Sequence, residues 1–146
     1  MGSKKGYAVV PNRICAACGA DDGFVIEARD WPIQHKGRRG VVPAMRLRYC
    51  KACGEGFSTG DGEMQRMSEA VSTFMRDVDA AQATELRATR KRLGLKQAEA
   101  AALFGGGVNA FSEYERGIRQ PSKSTVLLLK LLDRHPELLD EVRSAA

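Results

Sequence analysis

Four cysteines in two matching pairs are the residues of this sequence best suited to chemistry. They are Cys15, Cys18, Cys50 and Cys53, and each Cys-x-x-Cys pair is followed directly by glycine. Two residues between thiolates allow a tight turn to present both sulfurs to one ion, and the glycine lets the backbone turn sharply. Four soft ligands at tetrahedral positions suit Zn²⁺ and leave no open coordination position. The spacing therefore predicts one structural zinc ion per chain.

Two other uses of the cysteines are a redox-active pair and two disulfides. The first residues, MGSKKG, lack the apolar stretch of a secretion signal, so we expect a cytoplasmic protein, in which structural disulfides are rare. A thiol–disulfide oxidoreductase is disfavoured because no thioredoxin-like βαβ pattern surrounds the pairs. The sequence has no Walker loop, HExxH or GxSxG motif either, so we expect no enzyme. His35 is interpreted as a solvated loop residue and not as a fifth ligand.

The segment between the cysteine pairs must contain structure of its own. In MRLRYC, Met45, Leu47 and Tyr49 alternate with arginines, which predicts a half-buried strand. FVIEARDW is a second β-rich run, and the polar HKGRRG between the two runs indicates a connection. We therefore predict a small antiparallel sheet whose ends are held by the metal. GEGFSTGDGE, which follows the second pair, is predicted to be a loop because of its glycines.

An amphipathic helix is predicted after this loop. Its apolar stripe consists of Met64, Met67, Val71, Phe74, Met75 and Val78. The spacing is helical, and we interpret the stripe as a core face, the alternative being an adaptable groove for a partner. The apolar periodicity lapses in DAAQAT, where we place the boundary between two domains. No apolar run is long enough to span a bilayer, so no membrane association is expected.

Residues 84–146 predict a series of short helices. The first is expected to begin at Thr84 as N-cap and to end at Gly94, and the second to span KQAEAAALF. Three glycines separate it from VNAFSEYERG, which Gly117 ends. Ser122 is a candidate cap for the fourth helix, and a last helix is expected near Pro136. Two short helices joined by a tight glycine turn are typical of a helix-turn-helix.

The charges of residues 84–146 favour a polyanionic partner. Eleven basic and eight acidic residues occur here, and most of the basic ones crowd the first two helices and the segment after the third. A nucleic acid would suit this distribution, and a solvated charged face is the alternative.

The motif LRATRKRLGLKQAEAAALFG, continued by VNAFSEYERGIRQPSKST, resembles the Cro/C1-type repressor domain family. The resemblance implies that Phe111 and Tyr114 face inward and that Arg90 pairs with Glu115. It also implies that Gln97 and Arg119 contact phosphates of DNA. A helical domain that binds only protein is the alternative.

The order of elements resembles a more specific family. Two Cys-x-x-Cys motifs, a connecting helix, LFGGGVNAFS and LLKLLDRHPELL together are similar to the MqsA-type antitoxins, from about Cys15 to Arg143. The resemblance implies that the zinc domain holds an MqsR-like ribonuclease toxin. The second half would form a homodimer and repress its own operon by binding a palindromic operator in double-stranded DNA. The alternative is a zinc-containing helix-turn-helix regulator without a toxin partner.

These observations predict an α+β protein, with a small zinc-bound β domain followed by an all-α helix-turn-helix domain. The predicted ranges are 1–62 for the zinc- and toxin-binding domain, 63–83 for the connecting helix and linker, and 84–146 for DNA binding and dimerisation. The predicted DNA-binding residues are Lys96, Gln97, Asn109, Ala110, Glu113, Arg119 and Lys123. The apolar residues expected to serve both the core and a dimer seam are Val126, Leu127, Leu128, Leu131 and Leu132.

Glu113 departs from the pattern of the MqsA-type family. That family usually carries an arginine at this position, which contacts bases together with the asparagine at position 109. Asn109 and Glu113 are four residues apart, so they project from one helix face. One hypothesis is that the carboxylate accepts a hydrogen bond from cytosine N4. The other is that Glu113 pairs with Arg116, one turn on, and reads no base.

Overall fold

The computed structural model describes residues 13–21 and 23–146, so the prediction made from MGSKKG falls outside it. The described residues form two compact units, which divide between Thr73 and Phe74. The first contains a three-stranded sheet and the second contains only helices. This is the predicted α+β class. Within the described part of the chain, no helix is long and apolar enough to cross a membrane.

The first unit is built on an antiparallel hairpin. Strand β1 (Phe24–His35) pairs with strand β2 (Arg38–Cys50) along its whole length, with one register shift where Pro43 and Ala44 of β2 lie opposite Asp30 alone. Lys36 and Gly37 connect the strands, and both have positive φ, 47° and 78°. Such a two-residue turn matches the right-handed twist of a hairpin. Both predicted strands are confirmed. The predicted connection HKGRRG is reduced to Lys36 and Gly37, and His35, interpreted as a solvated loop residue, is instead the partly exposed last residue of β1.

One face of the hairpin carries the core of the first unit. Met45, Leu47 and Tyr49 are buried together with Val42, as the alternation in MRLRYC predicts. The partly buried residues packed on them are Val25, Trp31, Ile33, Met67, Ala70 and Val71. The last three lie in the helix that follows, so part of the predicted methionine stripe is a core face.

A short third strand lies in the segment predicted to be a loop. Strand β3 (Gly56–Phe57) pairs antiparallel with β2 at Arg48 and Tyr49. A Cβ atom on Gly56 would lie 2.9 Å from Cε1 of Tyr49, so only glycine fits here. The prediction of a loop was therefore wrong at these two residues.

The first turn of helix α1 (Glu63–Arg92) is hydrogen-bonded to the backbone of β2. Glu63 Oε2 accepts a hydrogen bond from the backbone N–H of Arg46 at 2.8 Å. Arg66 donates to the carbonyls of Pro43, at 3.0 Å, and Ala44, at 2.9 Å. The hydrogen bond from Arg66 also holds the pKa of Glu63 below its usual value.

Helix α1 continues without a break through the predicted domain boundary. Thr84 is not an N-cap: it lies inside the helix and its hydroxyl donates to the carbonyl of Ala80 at 3.0 Å. The prediction of a helix start at Thr84 was therefore wrong. The segment lacks apolar periodicity but is rich in alanine, the strongest helix former, so the helix has no local reason to end there.

The remaining helices of the second unit follow the predicted order. They are α2 (Gln97–Phe104), α3 (Ala110–Glu115), α4 (Lys123–Arg134) and α5 (Leu139–Ala145), the last preceded by a 3-10 turn at Pro136–Leu138. Gly94, with φ of 70°, follows the end of α1 as predicted. The Ser122 hydroxyl accepts a hydrogen bond from the Thr125 N–H at 3.1 Å, which confirms the predicted cap of α4.

The second unit has its own apolar core. Its buried residues are Leu86, Leu93, Leu95, Ala100, Ala101, Ala110, Phe111, Tyr114, Leu129, Leu132 and Leu139. The ring of Phe111 lies between those of Phe104, at 5.8 Å, and Tyr114, at 5.7 Å. These contacts seat α3 on the rest of the unit and so fix which of its residues face outward.

Candidate functional site

The two Cys-x-x-Cys turns have the same backbone structure. The N–H of Cys15 donates to the carbonyl of Ala20 at 2.9 Å, and its carbonyl accepts from the N–H of Gly19 at 2.8 Å. Cys50 makes the equivalent bonds in the second turn, with Glu55 and Gly54, both at 2.9 Å. The two glycines have φ of 73° and 77°, so they provide the sharp turn expected of them.

The turns bring all four cysteine sulfurs together. The four Sγ atoms lie within 4.8 Å of one another and could hold a metal ion. Cys15 Sγ is 3.7 Å from Cys53 Sγ, and Cys18 Sγ is 3.8 Å from Cys50 Sγ. These distances are far longer than the ~2.05 Å of a disulfide, and all four cysteines are free. Each of these close pairs joins a cysteine of the first turn with one of the second, so the four sulfurs face a common point between the two turns.

The thiols of this cluster differ in acidity. Burial opposes ionisation of Cys15, but hydrogen bonds from the backbone N–H groups of Cys18 and Ala17 outweigh it and lower the pKa to about 7. The backbone N–H of Glu55 favours the thiolate of Cys53, but burial and the neighbouring sulfurs outweigh it and raise the pKa to about 12. A cation at the centre would allow all four sulfurs to be thiolates at neutral pH.

Three glycines form the turn between α2 and α3. Gly105, Gly106 and Gly107 have φ of 78°, 100° and 95°, which are backbone conformations that other residues rarely adopt. Only at Gly106 does the space also exclude a side chain. A Cβ atom there would lie 2.7 Å from the Tyr114 hydroxyl and 2.9 Å from Cβ of Ala110. The glycines are therefore required by the turn itself.

A buried ion pair fastens α3 to α1. Both guanidinium edges of Arg90 take part: Nε and Nη2 donate to the carboxylate of Glu115, and Nη1 donates to the carbonyl of Leu95 at 2.6 Å. Gln97 Nε2 also donates to Glu115, at 2.9 Å. Burial disfavours the charge on Glu115, but the hydrogen bonds from Arg90 and Gln97 outweigh it and hold the pKa below its usual value. The pairing implied by the Cro/C1-type resemblance is present.

Most of the predicted DNA-binding residues lie at the surface around α2 and α3. The exposed ones are Lys96, Gln97, Asn109, Arg119 and Lys123. Glu113 is partly exposed, on the side of α3 away from the buried Phe111 and Tyr114. Ala110 is instead buried in the core, so its side chain does not belong to this surface. Asn109 precedes α3 but makes no cap hydrogen bond with its side chain, which leaves the amide available to a partner.

The ion-pair partner of Glu113 differs from the expected one. Glu113 Oε2 lies 3.4 Å from Nε of Arg119. Arg116 instead donates from Nε to the carbonyl of Ser112 at 3.2 Å. The hypothesis that Glu113 pairs with Arg116 is therefore wrong about the partner. Helix α3 ends at Glu115 and the chain reverses at Gly117, with φ of 72°, which carries Arg119 back to the helix.

Val108 was missed as a member of this surface. Its side chain is 84% exposed, although valine is among the residues most often buried. It directly precedes Asn109, at the entry to α3. Its position in the sequence could have indicated this exposure, because Val108 lies between the glycine turn and α3 and belongs to no periodic apolar pattern.

The apolar residues of α4 divide into two sets. Leu129 and Leu132 are buried, and Leu128 packs against the core. Leu127 and Leu131 are exposed, one helical turn apart. The core therefore uses only part of the predicted set, and the exposed pair, Leu127 and Leu131, lies outside the apolar core of the described residues.

Comparison with known proteins agrees with this arrangement. Residues 13–143 match the family described as "Antitoxin component of bacterial toxin-antitoxin system, MqsA". The chain is 39% identical over 131 residues to the antitoxin MqsA of Escherichia coli (strain K12), covering 88% of this chain and 98% of that relative. The match includes both cysteine pairs and the whole helix-turn-helix. This chain therefore belongs to the MqsA family of antitoxins.

Proposed function

We propose that this antitoxin neutralises an MqsR-like ribonuclease toxin through its first unit and represses its own operon through its second. Membership of the MqsA family carries the proposal. The two units have separate cores, which supports a division of labour between them. Toxin binding is assigned to residues 1–62, and operator binding and dimerisation to residues 84–146. Co-purification of the full chain with the product of a neighbouring small toxin gene tests the first part; a chain that binds DNA but no such product would be a regulator without a toxin.

We also propose that the four cysteines bind one structural Zn²⁺ ion. A tetrahedral zinc site with Zn–S bonds of about 2.3 Å places its sulfurs about 3.8 Å apart. Two of the sulfur pairs, at 3.7 and 3.8 Å, fit that geometry. Four protein ligands would complete the coordination shell, so the ion would hold the turns together and perform no catalysis.

The operator-binding surface is proposed to be the outer side of α2 and α3. Asn109 suits adenine, since its amide can donate and accept at the same base edge. Four exposed residues are the proposed phosphate contacts. Two precede α3 in the sequence and two follow it: Lys96, Gln97, Arg119 and Lys123. Val108 would add an apolar contact suited to a thymine methyl group.

Replacing Asn109 with alanine in the full chain should weaken operator binding by about 5- to 150-fold, the worth of one good bidentate base contact. Toxin neutralisation should not change, because Asn109 lies in the other unit. Fluorescence anisotropy with promoter DNA and a ribonuclease assay with the toxin measure the two activities. Ser124→Ala removes another exposed polar group, from α4, and should leave both unchanged. Equal loss of both activities in Asn109→Ala would contradict the division of labour.

The second unit is proposed to dimerise through the exposed leucines of α4. A single recognition helix reads few base pairs, and two copies related by a two-fold axis match a palindrome. Leu131→Glu should shift the protein from dimer to monomer, because it places a charge in an apolar contact. Analytical ultracentrifugation measures the shift, and Lys130→Glu, on the neighbouring exposed position, is the control. A wild-type protein that sediments as a monomer at micromolar concentration would contradict this interface.

A further inference from the structure

Glu113 and Arg119 form a charged pair at the outer surface of the helix-turn-helix. The two side chains are 31% and 46% exposed, and Oε2 of Glu113 lies 3.4 Å from Nε of Arg119. The helix is oriented by Phe111 and Tyr114, which are buried, so this pair lies on the side of α3 that the core leaves uncovered. Asn109 is on the same side, one turn earlier.

Arg119 is held in place by more than this carboxylate. Its Nη2 donates to the carbonyl of Gly106 at 2.7 Å and to the Tyr114 hydroxyl at 3.3 Å. The guanidinium also lies over the Tyr114 ring, 5.1 Å from the centroid. These contacts connect the segment after α3 to the turn before it. Glu113 therefore stands beside a positive charge whose position is fixed by the fold.

We propose that Glu113 determines operator specificity by accepting a hydrogen bond from cytosine N4, with Arg119 as its counter-charge. The proposal rests on the proposed operator binding. A carboxylate only accepts hydrogen bonds, so it is repelled by the O6 and N7 acceptors of guanine and the O4 acceptor of thymine. Adenine offers an N6 donor, but its N7 acceptor is adjacent to it. Adenine N6 thus lies between two acceptors, its own N7 and the O4 of the paired thymine, whereas cytosine N4 has an acceptor on one side only, the O6 of the paired guanine. Cytosine is therefore the base that such a carboxylate selects.

The counter-charge removes the main physical objection to a carboxylate in this place. A lone negative charge near two rows of phosphates is repelled by every DNA sequence. Arg119 offsets the negative charge of Glu113, and the ion pair uses the carboxylate oxygen Oε2. The other oxygen, Oε1, is the one proposed to accept from the base. Glu113 can therefore contact a base with less repulsion from the DNA phosphates. The ion pair of Glu113 is formed with Arg119, whereas Arg116 directs its Nε to the carbonyl of Ser112 at 3.2 Å.

Selection from a randomised duplex pool by the full chain tests the proposal. The wild type should select cytosine at one position in each half-site, with a preference of about 5- to 150-fold over other bases. Glu113→Gln keeps the size of the side chain but gains a donor, so the preference should move from cytosine towards adenine. Glu113→Ala should lose the preference at that position alone. Circular dichroism checks that each variant is folded.

Glu141→Gln is the matched charge control, because it removes an exposed acid from α5 of the same unit. It should select the same sequence as the wild type. If the wild type selects a sequence and both Glu113 variants select it with the same preference everywhere, Glu113 only positions Arg119 and the proposal is overturned. If the wild type selects no sequence at all, the proposed operator binding fails, and this assignment fails with it.

Discussion

Replacing Cys50 with serine is expected to unfold the first unit of the full chain while the second unit stays folded. Among residues 13–21 and 23–73, the core of the sheet face consists of four buried apolar side chains, those of Val42, Met45, Leu47 and Tyr49. Structural zinc in small domains binds with an apparent free energy of about 10–16 kcal/mol at pH 7, and this energy is coupled to folding. Such a contribution is comparable to the roughly 5–15 kcal/mol by which a whole domain is usually stable. Loss of one ligand therefore removes most of what holds the hairpin and the two turns together.

The single tryptophan makes this expectation measurable unit by unit. Trp31 packs against the core of the first unit, so its fluorescence reports that unit, whereas far-ultraviolet circular dichroism is dominated by the helices. Cys50→Ser should lose the fluorescence transition, the bound zinc and toxin capture, yet keep most of the helical signal and operator binding. Ala52→Ser adds the same hydroxyl to the same turn without removing a ligand, and it should behave as wild type.

Acid should have the same effect as the substitution. Each sulfur must be a thiolate to bind the ion, so protons compete with zinc as the pH falls, and the stability that zinc provides is lost in that direction. A chelator at neutral pH should likewise abolish the Trp31 transition. Freshly purified, reduced protein that contains no zinc, or whose first unit is indifferent to a chelator, would contradict the proposed metal centre.

The first unit could be predicted where its sequence has a clear physical signature. The cysteine spacing fixes how many ligands a turn can present, and the alternation in β2 follows from one face being buried. Strand β3 has neither signal. It has two residues, one of them Gly56, whose place is determined by the side chains of Tyr49, Leu47 and Trp31 across the sheet. Such a strand is specified by tertiary contacts and cannot be read from its own residues.

The errors in the second unit have different causes. A new helix was predicted to begin at Thr84, after a lapse in apolar periodicity, but periodicity reports burial, and an alanine-rich segment remains helical without it. The pairing of Glu113 with Arg116 assumed that α3 continues for another turn. It ends at Glu115, and the reversal at Gly117 brings Arg119 to the carboxylate instead. Side-chain partners at a helix end thus depend on the loop that follows, which local spacing rules do not describe.

Replacing Glu115 with alanine should reduce the free energy of unfolding of the second unit by about 3–5 kcal/mol, the cost of leaving one member of a buried ion pair uncompensated. The side chains of Arg90 and Glu115 are 10% and 4% exposed, so water cannot replace the lost carboxylate. Asp133→Ala is the matched control, because it also breaks an arginine–carboxylate pair of this unit. Arg92 and Asp133 are 54% and 30% exposed, so that loss should be no more than about 1 kcal/mol. Denaturant titration followed by circular dichroism measures both.

The pH dependence of these variants gives the prediction a second measurement. The pKa of Glu115 is lowered in the folded protein, so the unfolded chain binds more protons at mildly acidic pH. The stability from this carboxylate is therefore complete above the ordinary glutamate pKa of about 4.3 and is lost as the pH falls through the lower, folded value. The difference between wild type and Glu115→Ala should accordingly shrink in acid. A difference that is constant with pH would mean that the charge on Glu115 is not what stabilises the unit.

Removing both charges should be far less harmful than removing one. An apolar replacement of similar volume, such as Arg90→Met with Glu115→Leu, leaves no buried charge unpaired, and such exchanges are often neutral or stabilising by about 1–4 kcal/mol. Gln97 would lose its hydrogen bond to Glu115, but its side chain is exposed and can form hydrogen bonds with water instead. The double variant should therefore recover most of the stability lost by Glu115→Ala. Operator affinity need not recover with it, because the ion pair also sets how α3 is held against α1. A double variant as unstable as the single one would show that the pair is required for stability itself.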